Sequence, residues 1–211
     1  MSQNEVQKPD VKHFYLRRLH SLLGLIPVSL FLVEHIAANA FILKGPEAYN
    51  GTIQFLRGLP FLIPIEITFI GLPIAYHAIY GIYITFTGSV NTAKYGYARN
   101  WYYFIQRVTG MIALVFIAYH VWDFRIAPDI YGNEVSYELV AKALKNPLVF
   151  VFYAVGMAGT MFHFANGLWL FAITWGITRT PKSQNVMGWI STGIGIIIFA
   201  VSMQIIWMVS R

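Results

Sequence analysis

Long runs of apolar residues, each separated from the next by a short polar connection, dominate the chain. They lie at about 21–43, 61–87, 101–124, 147–175 and 188–209. Each reaches the roughly 20 residues that an α-helix needs to cross a hydrocarbon core. The runs at 61–87 and 147–175 are longer, which predicts tilt or extension beyond the lipid. The short alternating segments of a membrane barrel are absent. The pattern predicts an all-α integral membrane protein with five transmembrane helices, forming a single membrane domain over residues 1–211. Pro27, Pro64 and Pro73 fall inside spans, where kinks are tolerated if neighbouring groups satisfy the freed carbonyls. A cleaved signal peptide is not expected: the first 20 residues are polar and charged, and no Ala-x-Ala-like site follows the first run.

Composition strengthens this reading. Charged residues are 11% of the chain and apolar residues 57%, against roughly 25% charged in an average soluble protein. So few charges cannot cover a surface in water, so lipid must cover much of it. Cysteine is absent, which excludes disulfides, thiolate-held zinc or iron–sulfur centres and covalent C-x-x-C-H haem attachment. The net charge of +6 is unevenly spread. With the N-terminus inside, the inner side carries Lys8, Lys12, Arg17, Arg18, Lys94, Arg99, Arg107, Arg179 and Lys182. The outer side carries Lys44, Arg57, Arg125, Lys142, Lys145 and Arg211. Only Glu5 and Asp10 lie among the inner bases, while Glu47, Asp129, Glu134 and Glu138 sit in outer loops. The bias predicts an N-terminus inside and a C-terminus outside. The partners expected are lipid and protein, not nucleic acid.

The candidate chemistry lies in the histidines. Of six, four fall one to a span in the first four helices: His35, His77, His120 and His163. His35 and His120 are 85 residues apart, and His77 and His163 are 86 apart. Helices one and two therefore read as a repeat of helices three and four. His77 and His163 each begin a His-x-x-x-Gly string, with Gly81 and Gly167 one turn on; Gly24 lies three turns before His35 on the same face. A glycine there leaves a recess in which a planar ring can approach the backbone. A histidine inside a membrane can simply bond across helices. Four at repeating spacing point instead to function, because ionisable groups at that depth are costly. Imidazole is a standard axial ligand of haem iron. Depth along the helices pairs His35 with His120 for an outer haem and His77 with His163 for an inner one.

Several strings resemble one family. They are Phe-Tyr-Leu-Arg-Arg-Leu-His-Ser-Leu-Leu-Gly (14–24), Tyr-His-Ala-Ile-Tyr-Gly (76–81), Arg-Asn-Trp (99–101), Gln-Arg-Val-Thr-Gly (106–110), His-Val-Trp (120–122) and Phe-His-Phe-Ala-Asn-Gly-Leu-Trp (162–169). They are similar to the dihaem cytochrome b558 subunits of Gram-positive succinate dehydrogenases. The likeness runs from about residue 13 to 187. It extends more loosely to fumarate reductases anchored by a single five-helix, two-haem subunit. The resemblance implies an anchor in the bacterial cytoplasmic membrane, with its N-terminus cytoplasmic, that receives electrons from an iron–sulfur subunit. That subunit is fed by a flavoprotein with covalent FAD on the cytoplasmic side. Electrons would pass through the inner and then the outer of two non-covalent haems b to a quinone, usually menaquinone. The succinate site would lie on another chain, so this one is not expected to be catalytic for succinate alone.

Quinone reduction consumes protons as well as electrons, so acids near the outer haem matter. Glu66 lies three turns outward from His77 on the same face, and the spacing predicts that it points into the bundle near an outer quinone. A plain interhelical hydrogen bond is the alternative. Glu34 and Asp123 read as groups neighbouring the ligands or at interfaces. Arg17, Arg18, His20 and Arg107 gather at the inner ends of helices one and three, suited to the inner haem's propionates; plain anchoring and subunit docking also fit Arg17. His20 is a ligand alternative, but it sits at the membrane edge without a repeat mate. Three other functions stay open: the haem b subunit of another quinone-linked complex such as a formate dehydrogenase or hydrogenase, a haem-free transporter using histidines as proton relays, and a haem-free structural anchor.

Overall fold

The computed structural model describes residues 11–211. The fold is all-α, 85% helical and without strands among the described residues. In chain order the helices are α1 (Val11–Lys44), α2 (Pro46–Arg57), α3 (Leu62–Thr87), α4 (Ala98–Tyr131), α5 (Tyr137–Leu144), α6 (Pro147–Thr174) and α7 (Pro181–Val209). The helices α1, α3, α4, α6 and α7 are each long and apolar enough to cross a membrane. The protein is therefore a multi-pass membrane protein.

Three spans are longer as helices than their apolar runs. α1 begins ten residues before position 21, because its polar first turns still find partners: the Tyr76 hydroxyl donates to the Leu16 carbonyl. α7 begins at Pro181, behind a cap in which Thr180 and Ser183 each accept the other's backbone N–H. Pro181 sits at the first helical position, where its missing N–H costs nothing. α4 continues to Tyr131 through Trp122–Ile126, a segment with the wider i→i+5 bonding of a π-helix. α3 holds a second such segment at Glu66–Gly71. Hydropathy reports lipid contact, whereas a helix needs only its own hydrogen bonds and one packed side.

α1 packs along α3 and α4 along α6, with lighter contacts between α1 and α6 and between α3 and α4. The four therefore form a ring in which α1 stands diagonally from α4, and α3 from α6. α7 covers α6 from outside the ring. We call the end holding Val11 and the 88–97 and 175–180 connections the near end, and the opposite end the far end. The described near-end bases are Lys12, Arg17, Arg18, Lys94, Arg99, Arg107, Arg179 and Lys182. Lys8, Glu5 and Asp10 lie outside the described residues.

At the far end, α2 and α5 close the bundle over a core that includes Ile42, Tyr49, Leu144, Tyr153 and Val209. The Asn50 side chain ties them by accepting the Tyr137 N–H. Burial pushes the Tyr49 phenol up from the usual 10.0 to about 12. A raised pKa on an acid stabilises the fold below the unfolded value and loses that contribution as pH climbs through the folded one. The docking of α2 should therefore weaken between pH 10 and 12. A titration of phenolate absorbance alongside circular dichroism checks this: Tyr49→Phe should flatten that part of the stability profile.

Candidate functional site

The four intramembrane histidines stand as two pairs across the diagonals of the ring. His77 of α3 faces His163 of α6, with ring centroids 6.1 Å apart and planes crossed at 84°. His35 of α1 faces His120 of α4, 5.5 Å apart and crossed at 81°. Because each pair uses diagonal helices, its rings meet in the middle of the bundle and not at a helix–helix seam.

The near pair is held by a bond used twice. His77 Nδ1 donates to the His20 backbone carbonyl at 2.9 Å, and His163 Nδ1 donates to the Gln106 carbonyl at 3.1 Å. The residues bonded are 57 apart in both cases. A carbonyl only accepts, so each bond fixes the proton on Nδ1 and leaves the Nε2 lone pair free, as metal-ligating histidines require. Two glycines let these rings lie against backbone. A Cβ on Gly24 would stand 2.2 Å from Cε1 and Nδ1 of His77, and one on Gly110 would stand 3.0 Å from Cε1 of His163.

This corrects the expected use of the glycines. Gly24 receives His77 from the neighbouring helix and not a group beside His35. The atom nearest a Cβ on Gly81 is Cε1 of His20, at 3.2 Å, and on Gly167 it is Nε2 of Gln106, at 3.6 Å. Residues one turn apart on a helix sit one above the other, so a glycine's recess is filled from across the interface. Sequence reading passed over Gly110, although its 86-residue offset from Gly24 matches the offset between His77 and His163.

The far pair is held differently. The buried Tyr153 hydroxyl lies 3.2 Å from His120 Nδ1. The Asn39 amide donates to the His35 backbone carbonyl at 2.7 Å and lies 3.4 Å from His35 Nε2. Asn39 lies one turn beyond His35 on the same helix, a spacing the sequence does carry, whereas Tyr153 comes from another helix and has no spacing signal.

Of the cationic candidates, the structure brings His20 and Arg107 inward and leaves Arg17 and Arg18 at the rim. The His20 ring lies flat on His77, 4.0 Å away with planes 7° apart. Its Nδ1 is buried and has no hydrogen-bond partner among the described residues. Arg107 lies 3.7 Å from the Tyr103 ring and donates Nη2 to the Ile84 carbonyl, while its Nε and Nη1 are buried without a hydrogen-bond partner among the described residues. Arg17 is exposed, and Arg18 lies over Phe14 and Trp175.

Glu66 is not a solitary acid aimed into the bundle. Its side chain is 30% exposed and accepts two-pronged bonds from Arg125, with Nη2 to Oε2 at 2.7 Å. Arg125 also pairs with Asp129, which takes Arg57 from α2. Glu66 and Arg125 both lie in the π-helical segments, whose extra residue rotates them toward each other. A regular helix from Glu66 to His77 would put both on one face, and the wide turn breaks that register.

The arrangement suits a planar iron macrocycle. Among the described residues no three His, Asp or Glu side chains converge to cage a metal ion. Histidine rings facing each other two by two across the bundle suit a metal whose other ligands come from a ring. Two imidazoles bound to one metal at about 2.0 Å per bond stand with centroids about 6 Å apart, close to the spacings seen here. The orphaned nitrogens of His20 and Arg107 offer contacts for the acid groups of such a ring.

Comparison with known proteins agrees. Residues 92–202 match the family described as the succinate dehydrogenase/fumarate reductase transmembrane subunit. Over 188 residues the chain is 50% identical to the succinate dehydrogenase cytochrome b558 subunit of Bacillus subtilis (strain 168), an alignment covering 89% of this chain and 91% of that protein. With its five spans and paired histidines, the chain belongs to the transmembrane-subunit family of succinate dehydrogenases and fumarate reductases.

Proposed function

We propose that this chain is the membrane anchor and electron-transfer subunit of a succinate dehydrogenase or fumarate reductase, passing electrons from an iron–sulfur subunit through two b haems to menaquinone. The observation that carries this reading is the pair of crossed histidine sets at two depths on diagonal helices. Haem b bound at each pair supplies one-electron chemistry at iron. His77 and His163 would hold the near haem through the Nε2 that their carbonyl bonds leave free, and His35 and His120 would hold the far one. His20 and Arg107 face the near haem's propionates, and Arg17 and Arg18 form part of the basic rim on which the iron–sulfur and flavoprotein subunits sit. That rim faces the cytoplasm, with the N-terminus inside and the C-terminus outside, because basic residues collect there and acids collect at the far end.

A dithionite-reduced minus oxidised spectrum with pyridine haemochrome quantification on the purified chain tests the reading. Two haems b per polypeptide support it. No haem would overturn it and leave the proton relay or the plain anchor.

At the far end we place the quinone beside Glu66, the acid that Arg125 holds in position. The ring takes up two electrons and two protons to become the quinol, and Glu66 relays a proton to it. Glu66→Gln should lower succinate:quinone turnover by at least ~10-fold, at the low end of what a positioned acid or base contributes. Succinate oxidation read with an artificial dye, which bypasses the quinone, should be unchanged. Equal loss in both assays would remove Glu66 from the quinone step.

A further inference from the structure

We infer that the His20 ring sets the plane of the His77 imidazole and so keeps the near histidine pair crossed. This rests on the reading that His77 and His163 ligate a haem. The repeat provides an internal comparison. His20 and Gln106 occupy equivalent places, since each lends its backbone carbonyl to the Nδ1 of the histidine 57 residues ahead. His20 therefore does have a repeat mate, hidden because the mate is a glutamine. What differs is the side chain. Gln106 turns along α6: its Nε2 donates to the His163 carbonyl at 3.1 Å, and its Oε1 accepts from Asn166 at 2.7 Å. His20 instead lies flat on the ring it latches, 4.0 Å away.

A single hydrogen bond leaves a histidine ring considerable freedom about its last torsion, where rotamer wells are broad. A stacked ring removes that freedom, because rotation would drive one ring edge into the other. Gly24 closes the neighbouring side at backbone distance, and Gly81 gives His20 room to lie there. His77 is thus fixed by bond, face and edge, and its plane stands at 84° to that of His163. For low-spin ferric iron between two imidazoles, crossed planes leave the two iron π orbitals nearly degenerate. The largest g value is then high, and it falls as the planes rotate toward parallel.

The test is electron paramagnetic resonance of the oxidised, assembled complex carrying His20→Ala or His20→Phe, with haem content measured on each sample. In His20→Ala the near haem's largest g value should fall while the signal from the His35/His120 pair stays in place. His20→Phe restores a stacked ring without a nitrogen and should return the wild-type signal. A wild-type spectrum from His20→Ala with both haems bound would overturn the proposal. So would a His20→Phe spectrum like that of His20→Ala, since the nitrogen and not the stack would then be what matters. If His20→Ala loses the near haem, His20→Phe alone decides: an unshifted signal supports the stack and a shifted one overturns it. Absence of haem from the unmutated complex would instead be a failure of the underlying haem reading.

Discussion

Alanine at His77 or at His163 is expected to remove the same haem, taking the polypeptide from two haems to one and stopping electron flow to quinone. Alanine at His35 or His120 should remove the other. The two members of each pair should give matching spectra because both would hold the same haem. Loss of a partner that merely orients a metal ligand costs about 10–100-fold, so loss of the ligand itself should cost at least ~100-fold in quinone reductase activity. Dye-linked succinate oxidation in the assembled complex should survive, because it does not pass through this chain. Haem quantification on the four variants, with both activity assays, decides the matter. Spectra that grouped His77 with His120, or His35 with His163, would break the pairing that the ring geometry supports.

Gly24→Ala should have nearly as large an effect from a single methyl group. The added Cβ would stand 2.2 Å from two atoms of the His77 ring, far inside any van der Waals contact. The ring has little freedom to yield: its Nδ1 is held by the His20 carbonyl and its face by the His20 ring. Either α1 and α3 separate, at about 1–3 kcal/mol for an overpacked interface, or the ring swings and takes its ligand nitrogen off the axis. Both routes weaken the near haem. Gly110→Ala is the graded comparison, since its Cβ would stand 3.0 Å from His163. The expected order of near-haem retention is wild type, then Gly110→Ala, then Gly24→Ala, read by haem content and by thermal loss of the Soret band. A Gly24→Ala protein with two haems and unchanged thermal loss would sink the argument.

The spans, the absence of cysteine and the one-per-helix histidines are all legible along the chain. Hydropathy and residue spacing belong to a single strand of sequence and need no knowledge of neighbours. The same properties hinted at the repeat, and the 86-residue offset extends it to Gly24 with Gly110 and His20 with Gln106. By residue type His20 suits the propionates of an inner haem and has no matching histidine in the repeat. The structure shows that its backbone carbonyl is what the repeat preserves, which residue identity cannot report.

What only the tertiary structure decided is rotational: which face of each helix meets which neighbour. Gly24 serves a ring on α3 because α1 and α3 are packed neighbours. Glu66 meets Arg125 because two π-helical segments turn them together. Tyr153 reaches His120 only through the angle at which α6 packs on α4. A periodic pattern states that a helix has an apolar face, but in lipid nearly every face is apolar, so the pattern loses its power to orient. The number of spans and the placing of one histidine on each of the first four were therefore written in the sequence, while the contacts that fix each ring were settled largely by packing between helices.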